Sequence, residues 1–236
     1  MSAKWLLVAD VDGTLTTETS IWETFHKKLG KWEKEGLLNL RAFLNGKIDY
    51  DEFAARDARA YKGVSRTELE RIAAEIPRRK GMELMLKTMK RRGFTIALVS
   101  TGLDILVDQI PDVHYRVANR LEFENDICTG KAIVEVPMGE KGKVIRHLQS
   151  LGPFHPERTV VIGDSEGDIP MMKAAGLSIA VAAADSKVLM HADLQIDGED
   201  LMHIPALVEE YRVTIESRKP RAPRRSTSLV QPPANE

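Results

Sequence analysis

The run Trp5-Leu6-Leu7-Val8-Ala9 is continuously apolar and then breaks abruptly on Asp10-Val11-Asp12-Gly13. A run so short and uniform reads as a strand buried on both faces, ended by a turn that brings polar groups to its carboxyl end. Three more runs of this kind follow, FTIALV at 94–99, TVVIG at 159–163 and LSIAVA at 177–182, with helical patterning in the intervals. Strands alternating with helices cannot be joined as hairpins. The expected fold is therefore α/β, with a mostly parallel sheet covered on both faces.

About 80 residues separate the first two runs, far more than one crossover needs. They read as helices, so an inserted helical cap over 17–80 is expected, with the core domain formed by 1–16 and 81–216. Within the insert, SIWETFHKKLG (20–30) stops at Gly30 and DYDEFAARDARAYKG (49–63) stops at Gly63, while Ser65 to Glu68 makes a capping box for a further helix. Met82, Met85 and Met89 fall on one helical face and read as core. Alternating apolar positions in RVANRLEFENDICTGKAIVEVP (116–137), around Asn125-Asp126, predict an antiparallel strand pair. Helices are expected at 103–109, 141–151 and 199–212. The remainder, 217–236, is proline-rich and basic, the composition of a disordered tail.

With 43% hydrophobic residues in 236, the chain can bury a substantial core, and no apolar run approaches the ~20 residues of a membrane span. The first residues lack the layout of a signal peptide, which points to the cytosol. The lone cysteine, Cys128, offers neither a disulfide nor a CxxC metal site and reads as a small strand residue. From Ser217 on, five basic residues face one acid, so of the overall charge of −1 the tail carries +4 and the rest −5. A mildly acidic folded part argues against a nucleic-acid surface. None of the six histidines, His26 among them, has metal-ligand spacing, and Trp22 and Tyr61 read as cap core. The oligomeric state is not set by anything in the sequence.

The chemistry concentrates at the ends of the apolar runs. Side chains at i and i+2 of an extended segment share a face, so Asp10 and Asp12 can meet one substrate, one as nucleophile and the other as general acid and then base. Gly13 allows a tight turn that exposes backbone N–H groups to a phosphate. Ser100-Thr101-Gly102, after the second run, can hold phosphoryl oxygens or simply cap a helix. Asp164 and Asp168, after the third run, can bracket Mg²⁺, which accepts one or two carboxylates plus water and phosphate oxygens. Four such carboxylates at one sheet edge need a fixed cation besides the metal, for which Lys141 is the first choice and Lys143 its competitor.

These residues in this order resemble the haloacid dehalogenase superfamily, with the likeness running from about residue 5 to 212. DVDGTLT (10–16) is similar to its first motif, Ser100 to its second, Lys141 to its third, and Asp164 with Asp168 to its fourth. The resemblance implies a Rossmann-like core with a helical cap and a phosphatase that works through an aspartyl phosphate on Asp10. It also implies Mg²⁺ held by Asp10, the backbone carbonyl of Asp12 and Asp164, with Asp168 orienting the metal's waters. Ser100, Thr101 and Lys141 would hold the phosphate of a small phosphorylated metabolite. The cap, ANRLEF (118–123) and MGEKGKVIRHL (138–148) are most similar to the phosphoserine phosphatase branch. That branch has Asn where Gly167 stands, and a cap glutamate and arginine that grip the amino acid. Glu18 lies one residue early for the glutamate, and the arginine position falls on Asp57, with Arg56 and Arg59 beside it. A phosphomutase or phosphotransferase would share the same motifs; a non-catalytic protein would be expected to have lost one of the carboxylates, and all four are present.

Overall fold

A computed structural model describes residues 3–217; the basic tail beyond Ser217, for which disorder is expected, lies outside the described residues. One seven-stranded sheet runs through the molecule in the order β4-β3-β2-β1-β5-β6-β7. Its strands are β1 (Lys4–Ala9), β2 (Phe94–Leu103), β3 (Tyr115–Glu124), β4 (Ile127–Ile133), β5 (Phe154–Gly163), β6 (Leu177–Val181) and β7 (Leu194–Ile196). All neighbouring strands are parallel except β3 and β4, the antiparallel pair the alternation predicts. The positive φ angles of Asn125 (49°) and Asp126 (62°) form its tight turn.

From β1 the chain first builds outward through β2 and β3, then returns to add β5, β6 and β7 on the other side. The reversal falls between β1 and β5, which is where an open α/β sheet leaves a crevice beyond its strand ends. β1 is the middle strand and shows why its sequence is apolar throughout. Trp5, Leu7 and Ala9 enter the core on one face, while Leu6 and Val8 enter that on the other.

The first core is continuous with the helices between β1 and β2. These are α1 (Ile21–Lys28), α2 (Leu37–Leu44), α3 (Tyr50–Ala60) and α4 (Arg66–Ala74), followed by α5 (Met82–Arg91), whose Met82, Met85 and Met89 are buried as the spacing predicts. Phe25, Tyr61 and Leu69 of the insert belong to the same cluster as Leu7 and Ile96 of the sheet. A π-helical turn at Trp32–Gly36 leads into α2, an element with no capping signal in the sequence. Its geometry depends on Gly36, where a Cβ would lie 2.6 Å from the buried His26 ring.

The chain enters and leaves the insert through two adjacent linkers. Thr16 and Arg78 form an antiparallel bridge, and the Thr17 N–H donates to the Pro77 carbonyl at 3.1 Å. The β3–β4 turn also joins the insert. Gly63 N–H donates to the Cys128 carbonyl, Cys128 N–H to the Val64 carbonyl (both 2.9 Å), and Arg66 N–H to the Asp126 carbonyl at 2.7 Å. Cys128 is a buried, free strand thiol.

The remaining helices are α6 (Asp104–Val107), α7 (Lys141–Ser150), α8 (Ile169–Met172), α9 (Ser186–Leu189) and α10 (Ile204–Ser217). The expected helix at 103–109 is shorter because β2 continues past Val99, shifts register and still pairs Leu103 with Asn119. The last helix begins later than expected, since Asp200 caps a separate 3₁₀ turn over Leu201–His203. Among the described residues no helix is long and apolar enough to cross a membrane.

α6 carries a pH-dependent weakness. Burial, with Asp108 nearby, pushes the Asp104 carboxyl up to about 6. A carboxyl raised in the folded state costs nothing when protonated, and its penalty grows as pH rises from the usual value of ~3.9 through about 6. Asp104 is partly exposed, so solvent screening limits the effect. Asp104→Asn should match the parent's urea midpoint at pH 4 and exceed it at pH 8, by about 1 kcal/mol.

Candidate active site

The loop after β1 is shaped by its own backbone. Asp10 N–H continues the sheet to the Ile162 carbonyl at 3.0 Å, and the chain then folds back so that Gly13 N–H reaches the Glu18 carbonyl at 2.7 Å. Gly13 has a φ of +84°, and a Cβ there would collide with the Asp164 carboxylate. The loops after β1 and β5 therefore touch only because this position is glycine. Thr14, fully buried, seals the contact by donating its hydroxyl to Asp164 Oδ1 at 2.7 Å.

Asp10 and Asp12 occupy different surroundings. Asp10 is 3% exposed and lies in contact with the Lys141 ammonium. Lys141 also donates to Asp168 Oδ1 at 2.6 Å, so one buried cation joins the first strand to the loop after β5. Asp12 instead accepts from the Ser100 hydroxyl at 2.9 Å and from the Ile21 N–H of α1 at 2.7 Å. The Ser100 oxygen in turn accepts from Gly102 N–H at 2.8 Å. Lys141, not Lys143, is the cation at the site: Lys143 is exposed and pairs with Glu140 at 2.6 Å.

Asp10, Asp164 and Asp168 each offer an oxygen, all within 4.8 Å of one another. Burial raises the Asp10 carboxyl well above its usual range, with Asp168, Asp164 and Asp12 adding to the rise and Lys141 opposing it. Burial and Asp168 push Asp164 up to about 6. Burial also raises Asp12, against the hydrogen bonds from Ser100 and Ile21. Burial disfavours the Lys141 charge, but Asp10 and Asp168 outweigh it and hold the ammonium above its ordinary value. Four carboxylates against one ammonium leave an excess of negative charge, the donor set a hard divalent cation such as Mg²⁺ fits. Asp10 and Asp164 are the carboxylates with capacity for it. Asp168 is engaged on both oxygens, with Oδ2 accepting from Asp164 N–H and Ser165 N–H, both at 3.0 Å, and from the Ser165 hydroxyl at 3.2 Å. The side chain of Asp12 points away to Ser100, consistent with the backbone role the resemblance implies.

Two other expected substrate residues contribute backbone carbonyls to the loops. Glu18 uses its carbonyl to close the Asp10 loop, which turns its exposed side chain into a groove shared with Thr24, Lys27 and Glu75, away from the carboxylate cluster. Thr101 contributes a backbone hub, its carbonyl accepting from Trp22 Nε1 at 3.2 Å, from the Tyr50 hydroxyl and from Asn119 Nδ2 at 2.8 Å. Arg56 and Arg59 both turn onto Glu52, at 2.8 and 3.0 Å. Asp57 is buried between Asn39 and His26.

Neither Arg79 nor Asn119, noted in the sequence only as part of ANRLEF, is singled out there as a site residue. Arg79 donates to the Gly13 carbonyl at 2.7 and 3.2 Å and to Gly198 at 3.3 Å, bracing the Asp10 loop from the returning linker. Asn119 is fully buried; besides Thr101 it serves the N–H groups of Glu135 and Val136, both at 2.8 Å, on the approach to Lys141. Asn119→Ala strands those partners and should cost about 2–4 kcal/mol in urea unfolding.

The comparisons agree with this geometry. Residues 7–173 match the haloacid dehalogenase-like hydrolase family. The chain is 31% identical over 206 residues to a phosphoserine phosphatase of Methanocaldococcus jannaschii, covering 85% of this chain and 96% of that one. It is 30% identical over 211 residues to a phosphoserine phosphatase of Archaeoglobus fulgidus, covering 87% of this chain and 60% of the relative. A solved structure described as a phospho-aspartyl intermediate analogue of phosphoserine phosphatase is 28% identical, with a TM-score of 0.73 over 87% of this chain and 99% of the other. With the motif carboxylates gathered at the β1–β5 crevice, the chain belongs to the haloacid dehalogenase-like hydrolases, as a phosphatase of the phosphoserine-phosphatase-like kind.

Proposed function

We propose that this phosphatase hydrolyses a small soluble phosphomonoester in the cytosol through a phosphoryl group carried on Asp10, with residues 17–80 as its cap. The observation that carries the reading is the division between two carboxylates two positions apart, buried Asp10 against a fixed ammonium and half-buried Asp12 against hydroxyl and amide donors. Burial raises both carboxyls; at Asp10 the Lys141 cation opposes that rise and so favours the nucleophilic form, and at Asp12 the rise favours a carboxyl that can donate its proton.

In the first step an Asp10 oxygen attacks phosphorus, the bond to the leaving alcohol breaks, and Asp12 gives its proton to that oxygen. In the second, Asp12 takes a proton from water, the hydroxide adds to phosphorus, and the Asp10–phosphorus bond breaks to release phosphate. Ser100 holds Asp12 in position for both transfers, and Lys141 offsets charge on the phosphoryl oxygens. When bound by Asp10, Asp164 and the Asp12 carbonyl, Mg²⁺ would supply charge neutralisation and orientation of the phosphoryl group. The phosphatase names of the relatives and the phospho-aspartyl state of the solved structure support this assignment.

The test is phosphate release from 4-nitrophenyl phosphate and a panel of phosphorylated metabolites. Release should equal alcohol formed, and removing Mg²⁺ with EDTA should lower it by at least ~10²-fold, with recovery on adding Mg²⁺ back. Alcohol formed in excess of phosphate would instead indicate transfer to an organic acceptor.

A further inference from the structure

The hydrogen bonds that meet at the Thr101 carbonyl run on to Asp12, and each of them has a fixed direction. They start at the N–H groups of Glu135 and Val136, which can only donate and which both use Asn119 Oδ1. That settles the Asn119 amide, with Nδ2 toward the Tyr50 hydroxyl at 3.1 Å and the Thr101 carbonyl at 2.8 Å. Since the Tyr50 oxygen accepts from Asn119, its own hydrogen goes to the Thr101 carbonyl, where the Trp22 indole adds a third donor at 3.2 Å.

The carbonyl of Thr101 and the N–H of Gly102 belong to one trans peptide and point opposite ways. Donors that draw the carbonyl to one side therefore aim the N–H to the other, onto the Ser100 oxygen at 2.8 Å. With Gly102 on that side of the oxygen, the Ser100 hydroxyl turns its hydrogen to Asp12 Oδ2 at 2.9 Å. Strand pairing does not fix this peptide. β2 pairs with β1 as far as Leu98 and with β3 as far as Val99, then again at Leu103. There is no slack either, because a Cβ on Gly102 would collide with Asp12 Oδ2. Trp22 and Tyr50 both come from the insert. Tyr50 sits with its ring centroid 5.8 Å from those of Phe43 and Phe53, and it also borders a cleft of about 580 Å³ between the insert and the start of α7.

We propose that Tyr50 is a positioning residue for proton transfer: through the Thr101–Gly102 peptide and Ser100, its hydroxyl holds the Asp12 carboxyl where it can protonate the leaving oxygen. This inference rests on the phosphatase reading, with Asp12 as its acid, and the experiment separates the two. It measures kcat/KM, which reports the step that loads Asp10, for 4-nitrophenyl, phenyl and benzyl phosphates. These esters share a ring but need a proton increasingly, since 4-nitrophenolate leaves as a stable anion and an alkoxide does not. The parent should fall only shallowly along the series. Tyr50→Phe keeps the ring and removes the hydroxyl, and it should lower the benzyl-to-nitrophenyl ratio of kcat/KM by about tenfold. Ser100→Ala should lower that ratio at least as far, and adding Tyr50→Phe to it should then change the ratio little, because the tyrosine acts through the serine. If Tyr50→Phe does not fold, Trp22→Phe removes the indole donor, keeps an aromatic ring and should lower the ratio several-fold. An unchanged ratio, equal losses on all the esters, or effects that multiply in the double variant overturn the proposal and leave the phosphatase standing; the last two would mark lost packing or a direct contact with substrate. A parent that already falls steeply along the series removes Asp12 as the acid and the proposal with it. Failure of the parent to hydrolyse any of the esters overturns the phosphatase reading itself.

Discussion

Replacing Asp10 by asparagine is expected to lower kcat by at least ~10³-fold with little change in KM. An amide has nearly the shape of a carboxylate but cannot attack phosphorus, so the loss falls on the transition state and spares ground-state binding. The geometry makes this a clean substitution. Asp10 N–H stays in the ladder with Ile162, and Lys141 keeps its 2.6 Å contact with Asp168. Rapid-quench analysis with ³²P-labelled ester should show label on the parent protein that is acid-stable and hydroxylamine-labile, and none on Asp10→Asn. A variant retaining more than a tenth of the parent kcat would remove Asp10 from the mechanism.

Lys141→Met should give the largest loss of stability of any change at the site. The ammonium is 2% exposed and touches two buried carboxylates, one on each side of the crevice. Methionine fills much of the same volume but leaves Asp10, Asp12, Asp164 and Asp168 without a fixed counter-charge. Breaking a buried pair by removing one partner costs about 3–5 kcal/mol. For a chain of this size that corresponds to a fall in Tm of about 10 °C. Calorimetry at pH 8 checks the size. The direction with pH follows from the carboxylates: without the lysine they ionise less readily in the folded state, so the deficit should shrink as pH falls and they protonate. A deficit independent of pH would point to lost packing instead of unbalanced charge.

The sheet and the clustered carboxylates were legible because both are written locally. A buried parallel strand must be apolar throughout, and a turn that presents carboxylates must break that run, so 5–13 and 159–168 announce themselves. Lys141 was legible through its place at a helix start and by likeness to a family. What escaped depends on partners far away in the chain. Asn119 resembles any polar residue on a half-buried strand until Thr101, Glu135 and Val136 converge on it. Arg79 is one of several basic residues in a linker, distinguished only by the Gly13 carbonyl it reaches across 66 positions. Glu18 stood out only by likeness to the cap glutamate of a family; its carbonyl closes the Asp10 loop and its exposed side chain lines a groove with Thr24, Lys27 and Glu75. β7 was missed because three residues, Leu194–Ile196, are too few to display a period.

The backbone link between the β3–β4 turn and the α3–α4 loop ties the helical insert to the sheet. Two adjacent linkers alone would let an inserted domain swing about almost any direction. The third attachment, at Gly63, Val64 and Arg66, stands apart from the other two and removes most of those degrees of freedom. The Tyr50 hydroxyl and the Trp22 indole, both donating to the Thr101 carbonyl, fasten the insert to the end of β2 as well, so any widening of the cleft between Asp49, Tyr50 and the start of α7 has to break those bonds.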